Sequence, residues 1–241
     1  TGAQNTAVGY KSLYANTSAY RNTALGYEAG SSTLSGALNT YIGNQAGRLH
    51  TGNNSVYIGD KSGENATSGG ENVAIGQASL HHSQIGTRNT ALGYQSMLGV
   101  SSNSHYYNTA VGYKSLFAIT TGDSNVAIGY EAMSGSTTAA DNVAVGYQAA
   151  KSITTTYGTT AVGYKAATSL VDGHSNTAFG YLALQHEVAS DESTAIGYHA
   201  LRYQSGSTTT LGNTAVGHYA GKATTTADRN TYVGKSAGLN V

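Results

Sequence analysis

The chain contains no cysteine, no proline and no tryptophan, and only two phenylalanines, Phe117 and Phe179. Without cysteine there are neither disulfides nor thiolate metal sites. The shortage of large apolar side chains excludes an ordinary globular core for a chain of 241 residues. Charge is also scarce. Twelve basic and 12 acidic residues are scattered singly and balance to +0, which argues against nucleic acid or an anionic membrane as partner. No apolar run approaches the ~18 residues of a span, so no membrane insertion is expected in this segment. The first residue is Thr1 and nothing resembles a leader, so a mature or excised piece is expected.

In place of these features stand 32 glycines among abundant Ser, Thr, Asn and Ala, and a repeat. Its clearest copy is Asn108-Thr109-Ala110-Val111-Gly112-Tyr113-Lys114-Ser115-Leu116. The glycine recurs at Gly9, Gly26, Gly43, Gly59, Gly76, Gly93, Gly112, Gly129, Gly146, Gly163, Gly180, Gly197, Gly217 and Gly234, and ten of the thirteen intervals are 17 residues. A fixed period of this size implies a solenoid. We therefore expect a single domain over 1–241, an all-β parallel β-solenoid of about 14 coils. Seventeen residues suffice for two short strands and two turns in each coil.

Positions are numbered from the repeat glycine. The residue before it is always apolar, as in Val111, Ile128 and Val145, and two residues earlier stands Thr or Val without exception. Side chains two apart on a strand share a face, so both columns are expected to point into the coil. Four before the glycine is Asn in eleven repeats, with Ser55, Thr159 and Ser193 elsewhere, which predicts an axial ladder at a corner. Three after it, only Ala or Ser is admitted, a contact without spare volume inside the coil or against another chain. Two before it is Ala except at Tyr41, Tyr57 and Tyr232, and those three coils carry Gly47, Gly63 and Gly238 four after it, where Leu or Met is commoner. A shared, volume-conserving space is expected. The other half of each coil, rich in Ser, Thr and Gly, reads as a shorter, exposed strand plus turn. Length changes fall there, so Leu98–Tyr107 and Arg202–Gly212 are expected to bulge outward.

The motif Asn72-Val73-Ala74-Ile75-Gly76-Gln77-Ala78-Ser79 resembles the repeat of YadA-like heads of trimeric autotransporter adhesins. The N-T-A-V-G-Y version also resembles repeats of phage tail fibres and bacterial surface proteins. The resemblance spans the whole chain. It implies a left-handed β-roll, three chains around one axis and a role in surface attachment, and the small column three after the glycine would suit close packing in such a trimer. The period and the tyrosine column described next depart from the family's pattern.

The residue after the glycine is tyrosine in nine coils: Tyr10, Tyr27, Tyr94, Tyr113, Tyr130, Tyr147, Tyr164, Tyr181 and Tyr198. The same column accepts Asp60 and Lys235, so it is at least partly exposed. It is the best binding candidate, because aromatic rows can stack on sugars or pack between protomers. Catalysis is not expected: Asp191-Glu192 are neighbours in a turn, and the other acids fall in different columns. No cofactor is called for. Among the eight histidines, only His82 and His186 share a column, six coils apart, so no metal site is suggested. The triplets at Thr154, Thr208 and Thr224 evoke ice-binding solenoids, but their spacing is irregular and the regular Thr column is read as inward.

The sequence thus predicts a non-catalytic, extracellular fibre segment at a cell or virion surface, an adhesin head or tail-fibre shaft. Its first partner is itself as a homotrimer, with a host-surface glycan or protein receptor as a further one. The repeat runs to both ends without a visible cap, so a filament subunit stacking end to end is the alternative, with an ice-binding solenoid third.

Overall fold

The structure is a computed structural model that describes residues 2–100, 104–205 and 211–240. The chain is a parallel β-solenoid without helix among these residues. It divides into two compact units, Thr1–Asp123 and Ser124–Val241. The first carries seven strands, from β1 (Thr6–Val8) to β7 (Thr109–Val111), and the second another seven, from β8 (Val126–Ile128) to β14 (Thr231–Val233). Within each unit every strand pairs in parallel with the next, in unbroken register: Thr6 against Thr23, Ala91 against Ala110, Val162 against Phe179.

Each strand has three residues and, among the described residues, is the only one in its coil. The predicted second strand is replaced by consecutive turns, with isolated bridges such as Thr87 to Tyr106 as its trace. Residues two and four after the glycine have positive φ, as at Lys114 (51°) and Leu116 (48°), and so does the residue five before it, as at Asn54 (57°), so the stretch between is bounded by turns on both sides. These turns still bond from coil to coil: Leu80 N–H donates to Ser96 O at 3.0 Å and Gln95 N–H to Gln77 O at 2.9 Å.

The two outer columns of the strand point the other way from the expectation. The inward residue is the central one: Ala24, Ala74, Ala110 and Ala161 are buried, as are Tyr41 and Tyr57. No residue of the Thr/Val column or of the Val/Ile column is buried, and Phe179 is 54% exposed. A period of two fixes which residues share a face, not which face is inside. The coil is so thin that its interior admits Ala at the strand centre, and the larger β-branched residues are left outside.

The Ala/Ser column three after the glycine lies inside the coil, fully buried from Ala29 to Ala220. Ser62 Oγ and Ser96 Oγ donate to the carbonyls of Ala74 and Ala110, each at 2.9 Å. Its small size is therefore dictated within one chain, not by a neighbouring protomer. The repeat glycines combine both reasons for their invariance. Gly93 has φ +132°, and a Cβ there would stand 2.6 Å from the Gly112 carbonyl oxygen of the next coil.

The asparagine ladder is present in each unit. Asn89 Oδ1 accepts the backbone N–H of Asn108 at 3.0 Å, while its amide donates to His105 O at 2.8 Å. Asn142 does the same for Thr159 N–H at 2.8 Å and Thr156 O at 2.9 Å. Ser55 and Thr159, which replace Asn, keep the acceptor role through their hydroxyls towards Asn72 and Asn176. Residues 101–103 and 206–210 of the two predicted bulges, and with them the Thr208 triplet, lie outside the described residues.

Candidate functional site

The repeat glycine ends the strand and turns the chain so that the following side chain projects outward. In the second unit this makes a ladder. Tyr130, Tyr147, Tyr164, Tyr181 and Tyr198 stack at successive centroid distances of 5.1, 5.2, 5.0 and 5.2 Å, within 10° of parallel. His218 continues the ladder from Tyr198 at 5.0 Å. In the first unit the column breaks into two pairs, Tyr10 with Tyr27 at 5.3 Å and Tyr94 with Tyr113 at 5.4 Å. The rings between 39% and 43% exposed in the long ladder turn their faces to one another. Their edges and hydroxyls meet solvent. Inside the ladder each ring is covered by its neighbours, so the expected stacking of sugars on ring faces is not available there.

The upper end of this ladder gathers further groups that no motif announced. His199 lies flat against Tyr198 at 4.0 Å, and Tyr219 meets His199 edge-on at 5.3 Å and His218 at 4.1 Å. Arg202 Nη1 lies 3.3 Å from His199 Nδ1. A guanidinium only donates, so Nδ1 accepts and Nε2 carries the proton; that buried Nε2 has no partner among the described residues. Lys222 Nζ stands 4.7 Å from the Tyr219 ring centre, and the Arg202 guanidinium 5.0 Å from that of Tyr203. Burial pushes the His199 imidazole down to about 4, and the positive charges of Arg202 and Lys222 push in the same direction. The sequence reading missed this cluster because its members sit in four different columns.

Several other titratable groups serve the fold. His50 donates from Nε2 to Gly69 O at 2.6 Å, so its Nδ1 accepts from the Tyr41 hydroxyl at 2.8 Å. Burial lowers His50 to about 4 and raises Tyr57 to about 12. The buried Glu187 carboxylate accepts the N–H groups of Val188, Ala189 and Ser190 within 3.1 Å. His81 and His82 meet edge-on at 4.3 Å, with His81 bonded to Glu64. Among the described residues no group of three or more His, Cys, Asp or Glu is placed to hold a metal ion. A polar hollow in the first unit, lined by Asn53, Ser68, Glu71, Thr87 and Arg88, is crossed by the Arg88–Glu71 ion pair at 2.7 Å. No known protein family, curated protein or solved structure matches the chain.

Proposed function

We propose that the chain is a non-catalytic segment of an extracellular fibre, an adhesin head or tail-fibre shaft at a cell or virion surface. In this reading three copies wind left-handed rolls about one axis, and each presents its strand face to its neighbours. The observation that carries the reading is the outward face itself. In each unit it consists of two columns, Thr/Val and Val/Ile/Leu/Phe, without a charged residue in any coil. Such a face in water forfeits roughly 25 cal/mol for every Å² of apolar surface left uncovered. Being uncharged, it can pack against another copy of itself. Native mass spectrometry tests the idea: a trimer is expected, and Ile128→Lys with Val145→Lys should release folded monomers. A monomer at micromolar concentration in the unaltered chain sinks it, and indefinite fibres by electron microscopy would favour the end-to-end filament.

One observation favours a second reading, an ice-binding solenoid. The regular Thr column, from Thr6 to Thr231, points outward rather than inward. Against it, Val56, Val73, Val126 and Val143 replace Thr in that column, so the coils keep the shape and not the hydroxyl. The neighbouring column also varies from Val to Phe179, which roughens the face. Packing against protein tolerates both, and thermal hysteresis measurements separate the two readings.

A further inference from the structure

We propose that the upper end of the long tyrosine ladder, built around Tyr181, Tyr198, Arg202, His218 and Lys222, is a binding site for an acidic polysaccharide. This deepens the adhesive reading by naming a ligand class.

The charge distribution comes first. The chain is neutral as a whole, yet its charges separate within these coils. Lys165, Arg202, Lys222 and Lys235 all follow the strand, at the positions one, two and five after the repeat glycine. The acids Asp191, Glu192 and Asp228 precede it, beyond the opposite end of the strand, where Asp191 accepts the His174 N–H and Arg229, the one cation of these coils on that side, lies 3.9 Å from Asp228. Glu187 is buried and engaged with backbone N–H groups. Among the described residues no carboxylate pairs with Lys165, Arg202 or Lys222, whereas lower in the same unit Lys151 is held by Glu131 at 2.7 Å. In the first unit the corresponding positions alternate in sign: Glu28 bonds Gln45, and Arg48 pairs with Glu64. The upper coils of the second unit thus place two unneutralised cations, Arg202 and Lys222, at one position of successive coils beside aromatic edges, whereas Lys11 and Lys114 of the first unit stand singly against their tyrosines. Burial is the main cause of the depressed His199 imidazole, and Arg202 and Lys222 beside it oppose its protonation further.

The class of anion follows from the geometry. Arg202 and Lys222 are equivalent positions on successive coils, and the phenols beside them repeat every 5.0–5.2 Å. An elongated ligand with acidic groups at intervals along its length can lie parallel to the ladder and meet a cation and phenol hydroxyls in turn. A sugar acid or sulfate ester supplies the anion, and its hydroxyls suit the phenol and histidine edges. Nucleic acid fits less well. Its affinity needs many phosphate contacts and open ring faces for bases, and these rings already cover one another.

The test measures binding to heparin oligosaccharides, polygalacturonate oligomers, neutral cello-oligosaccharides and a single-stranded oligothymidylate. Heparin, polygalacturonate or both should bind, and which one does distinguishes sulfate from carboxylate as the recognised group. Arg202→Gln with Lys222→Gln should weaken binding by roughly tenfold at unchanged melting temperature, with less binding as salt rises. Lys165→Gln, whose Nζ lies 5.5 Å from the Tyr164 ring centre, one rung below Tyr181, should weaken it less and serves if the double variant misfolds. The bound glycan should also move the His199 titration upward in an NMR experiment. Binding that is equal for neutral glycans, undiminished in both variants, tighter for oligothymidylate or absent for both acidic glycans overturns the proposal. Native mass spectra of the same samples keep the questions apart: a trimer that ignores acidic glycans refutes this site alone, and a monomer that binds them refutes the trimer alone.

Discussion

The Tyr57 ring covers the α-carbon of Gly63, so that a Cβ there would stand 2.7 Å from Tyr57 Cγ. Tyr232 stands in the same relation to Gly238, and Tyr41 covers both Gly47 and Gly30 of the coil before it. One space is thus filled either by a tyrosine from the strand over glycine, or by Ala on the strand with a larger residue such as Leu80 or Met97. We expect Gly63→Ala to destabilise the fold by about 1–3 kcal/mol, from overpacking and from the loss of glycine at φ +58°. Gly63→Leu combined with Tyr57→Ala rebuilds the arrangement of the Ala74 coil, with its buried Leu80. It should cost less than Gly63→Leu alone, as read by denaturant midpoints in a double-mutant cycle. Additive costs would show that the two residues do not share a space.

That exchange was legible in the sequence because both members sit in strict columns. The coil period, the strand position and the asparagine ladder were legible for the same reason, and each is a feature that repeats. The direction of the strand's outer columns was not, because apolar residues are also common on surfaces and Val145 carries no mark of which side it faces. Nor was the turn half of the coil, where positive φ falls on Lys, Glu and Gln, as at Lys61, Glu131 and Gln148, rather than on glycine. The basic end of the tyrosine ladder was hidden because it depends on which columns become neighbours in space.

The ladder at Asn89 carries a second expectation. Its side chain holds Asn108 N–H and His105 O, and receives no replacement if truncated. Asn89→Ala should cost about 2–4 kcal/mol, since buried groups on two coils lose partners. Asn89→Ser should cost less, because a hydroxyl accepts the N–H above it, as Ser55 does for Asn72. Amide exchange at Asn108 reads the effect directly. Equal protection in the Ala and Ser variants would contradict it.

Acid should unfold the chain through its buried histidines. His50 and His105 are both held down to about 4 by burial, and neither ring nitrogen of His105 has a partner among the described residues. In the unfolded chain each accepts a proton near pH 6.5, while in the folded chain each resists until about 4. The unfolded state therefore binds more protons across that window, and stability falls as pH falls from 6.5 towards 4, by roughly 3 kcal/mol per histidine. Above pH 6.5 the two have no effect on pH dependence. His105→Gly, which installs the residue most common at this place in the repeat, should flatten the loss of melting temperature between pH 7.5 and 4.5. An unchanged slope would mean that other groups govern it.

The tyrosine ladder poses a choice between stability and recognition that one position decides. Tyr147 stacks on Tyr130 at 5.1 Å and on Tyr164 at 5.2 Å, and each stacked pair is worth ~0.5–1.5 kcal/mol. Tyr147→Ala should therefore destabilise the second unit by about 1–3 kcal/mol although the residue is 41% exposed. Tyr147→Phe keeps both stacks and loses only the hydroxyl, so its melting should be unchanged. Glycan binding at the upper end should survive both changes, because Tyr181, Arg202 and Lys222 lie beyond Tyr164. If instead the Phe variant melts normally but binds poorly, the hydroxyl row itself recognises the ligand and the site extends down the ladder. If the Ala variant melts like the unaltered chain, the stacks contribute nothing to stability, and the regular spacing of the rings follows only from the coils that carry them.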